Sequence, residues 1–192
     1  MVIGSSPILT TKKLNKMAEV KTIKPNKENK EEVLKFYEFG QNNSGGSFSV
    51  DEKLCHRLII QAYSEKEAIG IAEDMGVYFD GCEKGIDCDC CGDRWYSADL
   101  IEIPKRYGPF TMENASSIAK EYKAIVESTN FKGRSSKDNS RFHVVFDDVV
   151  KYAQYLTDSY GWTSPDCRIF YKDGTVKEIY SSKVEKYSKR NK

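Results

Sequence analysis

Residues 167–180 read CRIFYKDGTVKEIY. Two runs of β-forming residues flank Asp173-Gly174, the dipeptide a tight hairpin turn favours because both positions tolerate left-handed backbone. The stretch therefore predicts antiparallel strands over 167–171 and 175–180. Just upstream, Val149, Tyr152, Ala153, Leu156 and Tyr160 recur at helical spacing and Gly161 supplies a stop, so a helix is expected over 148–160.

Further out, residues 142–146 form an apolar run suited to a short strand, preceded by a polar, basic loop over 130–140. Residues 111–128 predict a helix, with Ile118, Ala119, Tyr122, Ile125 and Val126 as its apolar stripe. A strand over 95–103 is expected to stop at Pro104 and the turn KRYGPF. Residues 64–75 carry the clearest helix. Ser64 and Glu67 stand at capping-box spacing, Ala68, Ala72 and Met75 share a face, and Gly76 ends it. Residues 77–79 read as a short strand. Residues 33–39 and 48–62 read as two strands around the breaker GQNNSGGS, with His56, Leu58 and Ile60 facing one way and Cys55, Arg57 and Gln61 the other. Strands outnumber helices and are joined largely by hairpins. The expected class is α+β: a single small domain with a mostly antiparallel sheet, about three helices and a cysteine-rich loop. Its expected limits are 33–182, between a flexible arm over 1–32 and a basic tail over 183–192.

The chain has 192 residues with net charge +1, so no global field recruits nucleic acid or membrane. No run has the apolar length of a bilayer span, and the first residues lack a secretory h-region. The expected compartment is the cytoplasm, which favours free thiols or a metal site over disulfides for the six cysteines.

Four of those cysteines fall in VYFDGCEKGIDCDCCGDRWY, residues 77–96. Cys88 and Cys91 with Gly92 have the C-x-x-C-G shape of a zinc knuckle, in which a tight turn aims two thiolates at one ion. Cys82 and Cys90 complete a candidate ligand set, with Cys55, His56, His143 or a loop aspartate as other sources. Two readings compete with zinc. The cysteines pack as small apolar groups against Trp95, or one of them is a redox or catalytic thiol lacking an assignable base.

Asp93-Arg94-Trp95 follows. An indole that stacks and a guanidinium that forks to oxygens suit a planar or phosphorylated ligand. The bland alternative is an Arg–Asp pair pinning the loop over a core tryptophan. Asn42, Asn43, Ser44, Gly45 and Gly46 offer successive backbone N–H groups to an anion, or simply close a hairpin. If the two loops meet, they form a cleft for a nucleotide-like molecule. His56 and His143 lie in apolar strands, the usual setting of core histidines.

The blocks NNSGGSF, VYFDG, DCDCCGDRWY, YGWTSPDCRIFY and KDGTVKEI together resemble a family of small proteins of tailed bacteriophages, across residues 36–179. That family has a proline where this chain has Asp89 and often lacks a cysteine at position 82. The resemblance implies action in an infected bacterial cell and carries over no catalytic residue. The leading expectation is a non-enzymatic binding protein directed against the host, sequestering a nucleotide-like signal or binding a host protein. The alternatives are a virion or assembly component with basic tails touching nucleic acid, a zinc-knuckle nucleic-acid binder, and a metal- or thiol-dependent nucleotide enzyme.

Overall fold

The computed structural model describes residues 32–43, 46–129, 141–160 and 165–183. All of them belong to one unit, Glu32–Lys192. The expected arm and tail, the loop over 130–140, and Ser44, Gly45 and Gly161 lie outside the described residues.

The elements are β1 (Lys35–Gly40), β2 (Arg57–Ala62), α1 (Glu65–Met75), β3 (Asp99–Ile101), β4 (Lys105–Phe110), α2 (Met112–Tyr122), β5 (Ile125–Thr129), β6 (Arg141–Phe146), α3 (Val149–Tyr160), β7 (Cys167–Phe170) and β8 (Val176–Ile179). They build two sheets, one ordered β3-β1-β2-β7-β8 and one ordered β4-β6-β5. The only parallel pair among these strands is β2 with β7, so the fold is α+β with mostly antiparallel sheets. Among the described residues no helix is long and apolar enough to cross a membrane.

The five-stranded sheet is buried on both faces. Leu58 and Ile60 of β2 enter a core with Phe39, Ala68, Ala72 and Trp95, under α1. Ile59 points the other way, into a core with Phe146, Tyr152, Leu156 and Ile169 that joins α2, α3 and the small sheet. The period of two in a central strand thus feeds two cores at once.

The local signals hold. Asp173 Oδ1 accepts from Thr175 N at 2.9 Å and Gly174 is left-handed at φ 88°, closing the β7–β8 turn. Ser64 Oγ accepts from Glu67 N at 3.2 Å. The reciprocal bond differs from a capping box, since Glu67 Oε2 takes Tyr63 N at 2.8 Å. Gly76 ends α1 in the left-handed region. Ser64→Ala is expected to lower stability by about 1 kcal/mol, read as a melting point lower by about 2–4 °C.

Other expectations are corrected. The helix expected over 111–128 stops at Tyr122, because Lys123 turns left-handed at φ 53° and the β-branched residues beyond it pair with β6. KRYGPF is not a turn. It is β4, bulged between Tyr107 and Phe110, where Pro109 has no N–H to give the ladder. Residues 77–79 form no strand. Residues 48–56 form none either, because side chains take up their backbone groups. Gln41 bridges Ser49 and the Cys55 carbonyl with bonds of 2.7 Å, and Arg168 reaches the Asp51 carbonyl at 2.7 Å.

Candidate functional site

The cysteine loop is organised around a residue the sequence reading passed over. Asp87 has a side chain 1% exposed. Its carboxylate accepts from the Tyr78 hydroxyl at 2.8 Å and from Arg94 N at 2.7 Å. Gly81 backs directly onto it: a Cβ there would lie 2.0 Å from Asp87 Oδ2. Asp87 was legible only as one of several loop aspartates, because what marks it is burial.

Arg94 is used by the same network. Its Nε stands 3.7 Å from Asp87 Oδ1 and donates to the Tyr78 hydroxyl at 3.1 Å, while Nη1 donates to the Ser47 carbonyl at 2.6 Å. Asp93 Oδ1 accepts from Cys82 N at 2.8 Å, and that bond holds its carboxyl below the usual range. An arginine–aspartate pair does pin the loop, then, with Asp87 as the partner.

The two loops do meet. Asn42 N donates to the Arg94 carbonyl and Asn42 Nδ2 to the Cys91 carbonyl, both at 2.6 Å. They brace one another, and a cavity of about 530 Å³ lined by Asn42, Gly92, Asp93 and Trp95 opens beside the contact. Gly46 N is spent on the Asn43 carbonyl at 2.8 Å, which removes a second donor from any anion nest. Trp95 is 2% exposed and joins the core beside α1, so it has no free face on which a ligand stacks. Trp95 thus serves the core, and Arg94 is engaged by Asp87, Tyr78 and Ser47.

The cysteines divide into three groups. Cys88, Cys90 and Cys91 place their sulfurs within 4.8 Å of one another and are all exposed. Such a cluster has donors able to hold a metal ion. Cys82 is not in it, contrary to the expected set of four. Its thiol lies 3.6 Å from the Cys88 carbonyl and is pushed up to about 11, by desolvation first and then by Asp93. Cys55 and Cys167 are fully buried, and burial raises both thiols. Packing against Trp95 does not account for the exposed trio. Within it the sulfurs perturb one another: the Cys90 thiol stabilises the Cys88 thiolate and lowers it, and is itself raised to about 11.

A cavity of about 610 Å³ opens on the other side of Asn42, walled by the ends of β1 and β2, by Tyr96 and by α3. His56 and Asp166 stand together in it, with Nδ1 and Oδ1 3.3 Å apart. The Phe48 ring meets the imidazole edge-on at 4.4 Å between centroids. Desolvation pushes the His56 imidazole below its ordinary value, against a backbone hydrogen bond at Pro165. Arg57 and Glu38 pair at 2.9 Å, and burial keeps the Glu38 carboxyl above its usual range despite the guanidinium. Tyr96 is 59% exposed, so its ring is available to a ligand. His56 is thus a cavity residue and not the core histidine expected. His143 lies half-buried in β6, opposite Glu127. No sequence signal joins His56 to Asp166 across 110 residues. The parallel β2–β7 pairing does so, with Arg57 opposite Cys167.

A family model, described as a domain of unknown function (DUF7296), matches residues 34–147. The chain belongs to this family. The match contains the Asn42 loop, the whole cysteine loop, His56, Arg57 and Tyr96. It ends before α3, β7 and β8, and so before Asp166. Searches of curated proteins and of solved structures return no match.

Proposed function

We propose that the chain is a bacteriophage binding protein acting inside the infected bacterium, and that its small-molecule ligand enters the cavity beside His56. The phage setting rests on the resemblance of five sequence blocks; the ligand rests on the cavity. Its volume of about 610 Å³ lies within the range of small-molecule pockets, and its wall combines an exposed aromatic ring with convergent polar groups.

The lining also narrows the ligand. Glu38, Asp99 and Asp166 face the space against one guanidinium, Arg57. Those acceptors favour a ligand rich in hydrogen-bond donors over a polyphosphate. Of the nucleotide-like molecules expected, the base and sugar are the parts that suit this cavity. Calorimetric titration with nucleosides, nucleoside triphosphates and polyamines tests this. A nucleoside or amine is expected to bind, and triphosphates to bind more weakly. Tyr96→Ala is expected to weaken binding about tenfold through lost stacking, while stability changes by less than about 0.5 kcal/mol. Equal binding by Tyr96→Ala, or preference for the triphosphate, would overturn the assignment. No heat with any of them would leave a host protein as the partner.

Zinc is the second part of the proposal. The observation favouring it is that Cys88, Cys90 and Cys91 are exposed and mutually close, with no packing role. Elemental analysis of reduced protein produced with zinc present should give about one ion per chain.

A further inference from the structure

We infer that a zinc ion at Cys88, Cys90 and Cys91 keeps its fourth coordination position open to an exogenous neutral donor, an imidazole nitrogen or a water oxygen. The inference rests on the zinc reading above and changes what the ion is for.

The three sulfurs lie within 4.8 Å of one another, within reach of one ion. Cys90 Sγ and Cys91 Sγ are 3.6 Å apart, close to the edge of about 3.8 Å that tetrahedral Zn–S bonds of about 2.3 Å require. Among the described residues no further cysteine, histidine or carboxylate lies within 4.8 Å of all three. Cys82 is held aside, its N–H bonded to Asp93 Oδ1 at 2.8 Å and its sulfur near the Cys88 carbonyl.

The loop also keeps its shape by other means. Asp87 ties Tyr78 to Arg94, Arg94 reaches Ser47, and Asn42 holds the Cys91 carbonyl. A structural zinc site normally supplies the folding energy of its loop, as a closed shell of four protein ligands. Here side-chain hydrogen bonds, those of Asp87 part-buried, hold the loop, and the three thiols are exposed. Three protein ligands and a solvent-facing fourth position are the pattern of a site that takes a ligand.

Charge selects the donor. One zinc and three thiolates sum to −1, and Asp89 adjoins them in sequence. A neutral nitrogen or water completes the shell without adding to that charge, whereas a fourth anion would raise it to −2. A partner histidine meets this requirement.

Cobalt(II) substitution of the reduced full chain provides the test, with free imidazole as the probe. One equivalent of cobalt should bind, and sulfur-to-cobalt charge transfer should drop in Cys88→Ser, Cys90→Ser and Cys91→Ser. It should be unchanged in Cys82→Ser. Imidazole should shift the ligand-field bands saturably. A Cys82→Ser loss equal to that of Cys91→Ser would identify a closed four-thiolate site and overturn the inference while zinc stands. Bands indifferent to imidazole would do the same. Failure of both zinc and cobalt to bind stoichiometrically would remove the zinc reading itself.

Discussion

Asp87→Ala is expected to destabilise the protein by about 3 kcal/mol, the cost of breaking a buried charge pair and stranding its partners. For a domain of this size that lowers the melting temperature by about 6–12 °C. The carboxylate is 1% exposed and accepts from the Tyr78 hydroxyl and Arg94 N. Without it, a backbone N–H and part of the Arg94 guanidinium lose their acceptor inside the loop. Asp87→Asn preserves the shape but turns an NH₂ group or a weaker acceptor toward those donors, so an intermediate loss is expected. A double-mutant cycle with Arg94→Ala should show strong non-additivity, since both changes remove the same contact. Chemical denaturation and thermal melts measure all three. A loss below about 1 kcal/mol for Asp87→Ala would mean that the loop is not braced there. A metal at the three thiols would then be needed to hold the loop, as in a closed structural site.

Phe146→Ala should cost more, about 3–5 kcal/mol, as a large aromatic removed from a packed interior. Phe146 is fully buried at the end of β6, with its ring 5.8 Å from that of Tyr152 and 5.3 Å from that of Tyr155. It belongs to the core that Ile59, Ile101 and Ile169 of the larger sheet share with α2 and α3. The small sheet has no face of its own to bury elsewhere. Its stability is therefore expected to fall together with that of the large sheet, in a single transition. Two transitions, or a loss near that of a surface substitution, would show that the two sheets do not share this core.

The contrast between the elements read correctly and those corrected has one physical origin. The β7–β8 turn is closed by Asp173 on Thr175, two residues away, and α1 begins with Ser64 on Glu67, three residues away. Bonds that short are written in adjacent letters. The overrun of α2 came from Ile125 and Val126, which match helical spacing equally well. Their alternative, pairing with Val145 and Val144, depends on a strand that arrives some twenty residues later. β4 was hidden for a related reason, since Gly108 and Pro109 are turn residues by propensity and become a bulge only against β6.

The site follows the same division. Local sequence was enough to mark the clustered cysteines, the Asn42 loop and an Arg–Asp pair as one reading of the cysteine-rich segment, though not Asp87 as its aspartate. By itself the sequence determined the α+β class, the caps, the hairpin turn and the presence of a thiol-rich loop, because each depends on backbone preferences and bonds spanning a few residues. Tertiary structure alone decided which side chains serve that loop and which serve the cavity. Arg94 finds Ser47 at a separation of 47 residues, Asn42 finds Cys91 at 49, and Arg168 finds Asp51 at 117. The meeting of His56 with Asp166 depends on β2 lying beside β7, and β2 in turn lies between β1 and β7. That order is chosen by the joint burial of two apolar faces, which no single segment contains.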